Sequence, residues 1–336
     1  MNKAMSSLML FAGLALIPSL HADERPAYGP HLEGFNYPQP IKRFEFSSQR
    51  QDLTMGYLDV APAGKANGRT ILLMHGKNFC AATWQDSIAV LSQNGYRVIA
   101  PDQIGFCSSS KPMGYQFSFA QLAHNTEALL DSLNIEQVTV IGHSMGGMLA
   151  SRLALSYPDM VDQLVLVNPI GLEDWQAEGV PYAPVDTLYE SELQTDFEKI
   201  KAYQQKFYYN GNWKPEYDRW VEMLAGMYAG DGKEIVAWNQ AQTSDMVFTQ
   251  PVIHEFGKLS MPTLLLIGGK DRTAPGANRA PDEVAQRLGN YPELGRRAAA
   301  KIPKATLVPF PELGHSPQVE APEVFHKALL RGLKNR

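Results

Sequence analysis

The stretch Val138–Ser156, VTVIGHSMGGMLASRLALS, constrains this chain more than any other. A β-branched run stops at Ile141, three glycines crowd the next six positions, and an amphipathic helical pattern starts at Met145. That order describes a strand, a turn and a helix. In the pattern G-x-S-x-G, Gly142 and Gly146 flank Ser144 at two residues' distance, where so tight a turn leaves no room for a Cβ. The turn pushes the serine out beyond the strand, with the N-terminal end of a helix behind it. In that setting Ser144 is a candidate nucleophile. A glycine-rich turn without chemistry is the plainer alternative.

The rest of the chain repeats the alternation. Strand candidates are Lys42–Phe46, Leu53–Val60, Thr70–Met74, Arg97–Ala100, Val138–Ile141, Leu164–Val167, Thr263–Ile267 and Thr306–Pro309. The first two alternate in polarity, like an antiparallel pair. The later ones are unbroken apolar runs, as expected of strands buried on both faces of a parallel sheet. Helical patterns fall at Trp84–Asn94, Phe119–Leu133, Met145–Ser156 and Pro322–Leu333. Together they predict an α/β fold, a doubly wound and mostly parallel sheet with helices on both sides.

Residues 171–254 interrupt this rhythm. They hold no convincing strand, several helical stretches and fourteen of the thirty-three aromatic residues. Packed together, those rings would make the core of a helical insertion. Over the carboxyl edge of the sheet, where α/β folds bind ligands, the insertion would also be a cap. Trp213, Tyr217, Trp220, Tyr228 and Trp238 are its candidate pocket residues, and they predict a small-molecule substrate with an apolar or aromatic group.

Composition removes other classes. A chain of 336 residues, 44% hydrophobic and 19% charged, is neither disordered nor a polytopic membrane protein. Its net charge is −5 with Lys and Arg dispersed, so no basic patch awaits nucleic acid. It has no H-E-x-x-H, no Walker loop, no G-x-G-x-x-G after a first strand and no C-x-x-C, so neither a metal nor an organic cofactor is expected.

A serine hydroxyl is a poor nucleophile until a base takes its proton. His315, in Pro311-Glu312-Leu313-Gly314-His315-Ser316-Pro317, falls between the last strand and the last helix, on a loop at the same edge as Ser144. His75 and His143 sit inside other motifs and His124 in a helix, while His254 and His326 read as surface residues. The carboxylate that would orient the base is Asp271, just past Leu264–Gly269. The rival position after the sixth strand holds Asn168, which carries no charge. Ser144, Asp271 and His315 thus occur in the order the strand–elbow–helix arrangement predicts. An oxyanion needs two fixed N–H donors. Met145 offers one and Lys77, in Met74-His75-Gly76-Lys77-Asn78-Phe79, the other. Asp102, in Pro101-Asp102-Gln103-Ile104-Gly105-Phe106, reads as a structural residue of the next loop.

From about Arg69 to the C-terminus the chain resembles the α/β-hydrolase superfamily. The His-Gly loop, P-D-x-x-G-F, G-H-S-M-G-G, G-G-K-D and G-H-S-P follow one another in that family's order. The resemblance implies an eight-stranded sheet, a helical lid after the sixth strand and a Ser-His-Asp triad. It lies closer to lid-bearing esterases and haloperoxidase-like enzymes than to peptidases, whose loop usually reads H-G-G-P-G. Two departures stand out. Lys77 and Asn78 form an unexplained polar pair beside the oxyanion site, and Cys107 replaces the usual glycine after G-F. In this fold the loops carrying Cys80 and Cys107 leave neighbouring strands, within reach of a disulfide.

The first reading is therefore hydrolysis of carboxylic esters, lactones and thioesters included, through an acyl-enzyme. Carbon–carbon bond hydrolysis or cofactor-free perhydrolysis could use the same triad, and a non-catalytic binding protein is the alternative from another class. Residues 1–22 read as a cleavable export leader: Lys3, an apolar run from Leu8 to Ile17, Pro18, and Ala22 before Asp23. The run is too short for a lasting membrane anchor. The chain divides accordingly into the leader, a core from 23 to 170, a cap from 171 to 254 and a second core part from 255 to 336. A secreted or periplasmic protein follows, in a compartment where disulfides persist.

Overall fold

The computed structural model describes residues 25–334, so the expected leader lies outside the described residues. Eight strands form one sheet: β1 (Lys42–Ser48), β2 (Gln51–Val60), β3 (Thr70–Met74), β4 (Arg97–Pro101), β5 (Val138–His143), β6 (Val161–Val167), β7 (Thr263–Gly268) and β8 (Ala305–Phe310). Their order is β1-β2-β4-β3-β5-β6-β7-β8. The β1–β2 and β2–β4 pairings are antiparallel and the remaining five parallel. Burial explains the sequence pattern. β5 and β7 are buried at every position, whereas β1, at the edge, alternates.

The helices are α1 (Gln85–Gln93), α2 (Phe119–Ser132), α3 (Met145–Ser156), α4 (Val185–Glu192), α5 (Phe197–Phe207), α6 (Asp218–Ala229), α7 (Lys233–Thr249), α8 (Asp282–Arg287), α9 (Tyr291–Lys301), α10 (Pro317–Glu320) and α11 (Pro322–Lys334). Alternate strand residues face opposite ways. Ile71, Leu73, Ile141, Val165 and Leu266 meet α1 and α11 on one side. Leu72, Val140, Leu166 and Leu265 join the apolar faces of α2, α3 and α9 on the other. Helices α4 to α7 lie between β6 and β7 in the chain, where the strand pattern had lapsed.

Three helices outside the insertion, α8, α9 and α10, were not legible. In α9, Pro292 and Gly295 look like helix breakers. Pro292 sits in the first turn, where its missing N–H is no loss. At Gly295 a Cβ would press within 3.2 Å of Ile267. His326 corrects the surface reading: it is buried, bonded to Ser87 Oγ at 2.9 Å, and burial lowers its pKa. Cys80 and Cys107, after β3 and β4, are paired with their Cα atoms 5.9 Å apart. No helix among the described residues is long and apolar enough to cross a membrane.

Candidate active site

β5 ends at His143, and Ser144 turns with φ 56° before α3 begins. A left-handed φ at a residue with a Cβ costs about 1–3 kcal/mol and persists only where its surroundings enforce it. Here they do. A Cβ on Gly142 would lie 2.2 Å from Gly146 O, and one on Gly146 2.2 Å from Met74 O. Ser144 is nearly buried, yet it lines a cavity of about 380 Å³ between the sheet edge and α4 to α7.

The loops after β7 and β8 bring Asp271 and His315 together. His315 Nδ1 donates to Asp271 Oδ2 at 2.6 Å, with both side chains fully buried. The Thr273 N–H reaches Asp271 Oδ1 at 2.8 Å. Asn168 Nδ2 reaches Oδ2, also at 2.8 Å. Asn168, which in the sequence reads as the uncharged occupant of a rival position, is a hydrogen-bond partner of Asp271. Its position after β6 was the available signal. His143 Nε2 donates to His315 O at 2.8 Å, which holds the His315 loop against the serine turn. Burial, then the neighbouring His315, pushes the His143 pKa well below its ordinary value, so this donor ring is neutral.

Because Nδ1 serves Asp271, Nε2 is the nitrogen of His315 able to accept a proton. It is buried and has no hydrogen-bond partner among the described residues. The Ser144 Oγ contact to it is not closed; such contacts commonly tighten only when substrate binds. Met145 N–H opens α3 and so lacks an intrahelical acceptor. Lys77 N–H lies in the turn that Phe79 N–H closes onto Gly76 O at 3.1 Å, and it donates to no backbone group among the described residues. A Cβ on Gly76 would fall 3.0 Å from Ser144 Cβ, so this loop lies directly against the serine.

Asp102 holds the loops beneath. Its Oδ1 accepts from Ala81 N–H at 2.7 Å, and its Oδ2 from Ser108 Oγ and Tyr37 OH, both at 2.6 Å. The Lys77 and Asn78 side chains find their partners above, on the insertion. Lys77 Nζ donates to Glu192 Oε1 at 3.2 Å and Gln240 Oε1 at 3.0 Å, and Asn78 Nδ2 to Tyr208 OH at 3.0 Å. No local pattern in the sequence pairs residues so distant.

Of the five aromatic candidates, Tyr228 lines the cavity, and its hydroxyl donates to Glu192 Oε2 at 2.7 Å. The other four do not line it. Trp213 and Tyr217 pack around Tyr209, with ring centroids 5.6 and 4.0 Å away. Trp220 lies under the Arg219 guanidinium, and Trp238 Nε1 donates to Met113 O at 2.8 Å. The aromatic density mainly reflects the insertion's own core. The cavity's apolar wall is built from Leu188, Ile200, Leu224, Met227, Val247 and Phe248.

Known proteins share this architecture. An uncharacterized protein of Mycobacterium tuberculosis is 42% identical over 106 residues, which is 32% of this chain and only 30% of the relative. The 2-hydroxy-6-oxo-6-phenylhexa-2,4-dienoate hydrolase of Burkholderia cepacia is 24% identical over 80% of this chain and 88% of its own. The crystal structure of a probable hydrolytic enzyme from Pseudomonas aeruginosa PAO1 is 63% identical, covers 92% of this chain and 99% of that one, and superposes with a TM-score of 0.91. Residues 69–322 match the alpha/beta hydrolase fold, and the chain belongs to that family.

Proposed function

We propose that this protein hydrolyses carboxylic esters, lactones and thioesters included, through a covalent acyl-enzyme on Ser144. His315 Nε2 takes the Ser144 Oγ proton as Oγ adds to the substrate carbonyl carbon. The carbonyl oxygen becomes an oxyanion facing the Lys77 and Met145 amides, which stabilise it as charge develops. As the C–O bond breaks, the proton passes to the leaving alkoxide. Water, deprotonated by the same nitrogen, then releases the acid and restores the serine. Asp271 keeps Nδ1 protonated and the ring in place. One observation carries this reading. The buried Asp271–His315 hydrogen bond leaves Nε2 as the only acceptor, beside a serine on an enforced turn in a cavity wall.

The volume and mainly apolar wall fit an aromatic or medium-chain group rather than acetate alone. A fluorophosphonate probe followed by peptide mapping tests the nucleophile, and an ester panel tests the class. Labelling on any residue but Ser144, or no turnover across the panel, overturns the proposal. The Burkholderia cepacia relative favours a second reading, carbon–carbon hydrolysis of an oxo-dienoate by the same groups. Product analysis on matched ester and diketone substrates separates the two.

The leader and the cysteine pair also support export, with the disulfide intact in the mature chain. Mass spectrometry of the secreted or periplasmic protein should show an N-terminus near Asp23 and no titratable thiol before reduction. Two free thiols would end that part of the proposal.

A further inference from the structure

One residue of the helical insertion touches both halves of the proposed machinery. Tyr208 follows α5 and caps it, its N–H bonded to Gln204 O at 2.7 Å. Its carbonyl accepts the His315 N–H at 2.9 Å. Its ring lies over the imidazole, with centroids 4.6 Å apart at 36°. Its hydroxyl accepts from Asn78, the neighbour of the Lys77 amide, at 3.0 Å. The approach to the base loop is so close that a Cβ on Gly314 would fall 2.2 Å from Tyr208 O. The residue is buried among Phe79, Tyr203 and His315, and burial raises its phenol pKa far enough to keep the hydroxyl neutral.

We infer that Tyr208 is a positioning residue: through its backbone and ring it fixes His315, and through its hydroxyl and Asn78 it fixes the Lys77 amide, so the insertion sets the spacing between base and oxyanion donors. The inference rests on the ester-hydrolase reading above. The physical need is clear. An oxyanion donor must stand 2.7–3.1 Å from the oxygen it will stabilise, and a misplacement of about 1 Å can lower the rate by about 10²-fold. The loop carrying Lys77 has a single backbone–backbone hydrogen bond of its own, from Phe79 to Gly76. The His75 ring anchors its start to Gln103 N–H and Gly76 O, and the Cys80–Cys107 bridge anchors its end. The tip between them is tied to the insertion by the Lys77 and Asn78 side chains.

The test uses Tyr208→Phe, Asn78→Ala, their double variant, Tyr208→Leu and Ser144→Ala beside the wild type. Hydrolysis of one aromatic ester is measured, and kcat is expressed per site titrated with a fluorophosphonate, so that a smaller folded fraction does not count as slower chemistry. Tyr208→Phe and Asn78→Ala should each lower kcat about tenfold, with KM within threefold of wild type. The double variant should be no slower than the slower single, because both remove one hydrogen bond. Tyr208→Leu, which also uncovers the imidazole, should be slower than Tyr208→Phe. A per-site kcat within twofold of wild type for Tyr208→Phe overturns the inference. Losses that multiply in the double variant do the same. If the wild type shows no Ser144-dependent turnover, the functional reading falls and takes this inference with it.

Discussion

The two halves of the site are held by different means. Ser144, Asp271 and His315 sit on turns at the ends of β5, β7 and β8, where glycine close approaches and backbone hydrogen bonds dictate their places. Gly142, Gly146 and Gly314 each tolerate no Cβ, since one would lie 2.2 Å from a backbone oxygen. The other half is the loop from His75 to Phe79. The His75 ring anchors its start, accepting from Gln103 N–H at 3.1 Å and donating to Gly76 O at 2.8 Å, but the loop's tip is suspended by side chains. Lys77 reaches Glu192 and Gln240, and Asn78 reaches Tyr208, all on the insertion. The sheet-borne half is fixed mainly by backbone at the strand ends, with one support from the insertion, where Tyr208 O accepts the His315 N–H. The tip of the suspended half also depends on how firmly α4, α5 and α7 are held, and those elements shape the cavity wall.

The sharpest attack on this contrast removes the most rigid group. Ser144→Ala should lower kcat by about 10⁴-fold or more with the melting temperature unchanged, because the proposed nucleophile and base would act as a unit. Retention of a tenth of the wild-type rate on an ester substrate would take Ser144 out of the proposed mechanism. The comparison itself would fail if the sheet-borne half proved no more sensitive than the suspended half, with its expected tenfold effects.

The contrast also explains what the sequence disclosed. Tight turns need particular residues at fixed spacing, so Gly142-His143-Ser144-Met145-Gly146 and Gly314-His315 announce their geometry locally. The buried strands did the same, because both faces of β5 and β7 are covered. Side-chain struts leave no such trace. Lys77 and Glu192 are 115 positions apart, Asn78 and Tyr208 130, and a helix surface can offer a partner at many positions. Aromatic density misled for a related reason. A large ring serves a helical core as well as a pocket, and Trp213, Tyr217 and Trp220 went to the core. What lines the cavity depends on how α4 to α7 are turned.

The disulfide straddles the divide, since Cys80 ends the suspended loop and Cys107 belongs to the neighbouring rim. Closing a loop of 27 residues stabilises the fold by about 3.5 kcal/mol on the chain-entropy account. Replacing both cysteines by alanine should therefore lower stability by up to that amount in denaturant unfolding. If the bridge also steadies the Lys77 amide, kcat should fall while KM holds. A loss of stability with kcat untouched would show that the bridge plays no part in placing the Lys77 amide.

Smaller effects separate wall from core in the insertion. Phe248→Ala should raise KM for an aromatic ester about tenfold while changing KM for acetate little, since buried aromatic area contributes binding energy. Trp238→Ala, whose indole lies off the cavity and donates to Met113 O, should leave both KM values near wild type. Equal shifts from the two substitutions would mean that the insertion acts as one deformable body rather than as a wall backed by a core.

The last effect is a pH slope in the rim loop, on the rigid side of the comparison. Lys111 is buried there, with Nζ donating to Cys107 O at 2.7 Å and Ser109 O at 3.2 Å. Burial pulls its pKa from 10.5 down to about 7, against the opposing pull of Asp102 and Glu33. In the unfolded chain the amine keeps its proton to its ordinary value. Between pH 7 and that value the unfolded state therefore binds more protons than the folded one, and stability rises with pH. Below pH 7 both states are protonated and the slope vanishes. The contribution is of order 1 kcal/mol per pH unit at its steepest. Lys111→Met removes the titrating group while keeping an unbranched chain in the space. Melting curves of the two proteins at pH 6, 7, 8 and 9 should show wild type gaining on the variant above pH 7 and running parallel to it below. A difference that stays constant across the whole range would mean that the Lys111 amine keeps its proton in the fold, up to its ordinary value.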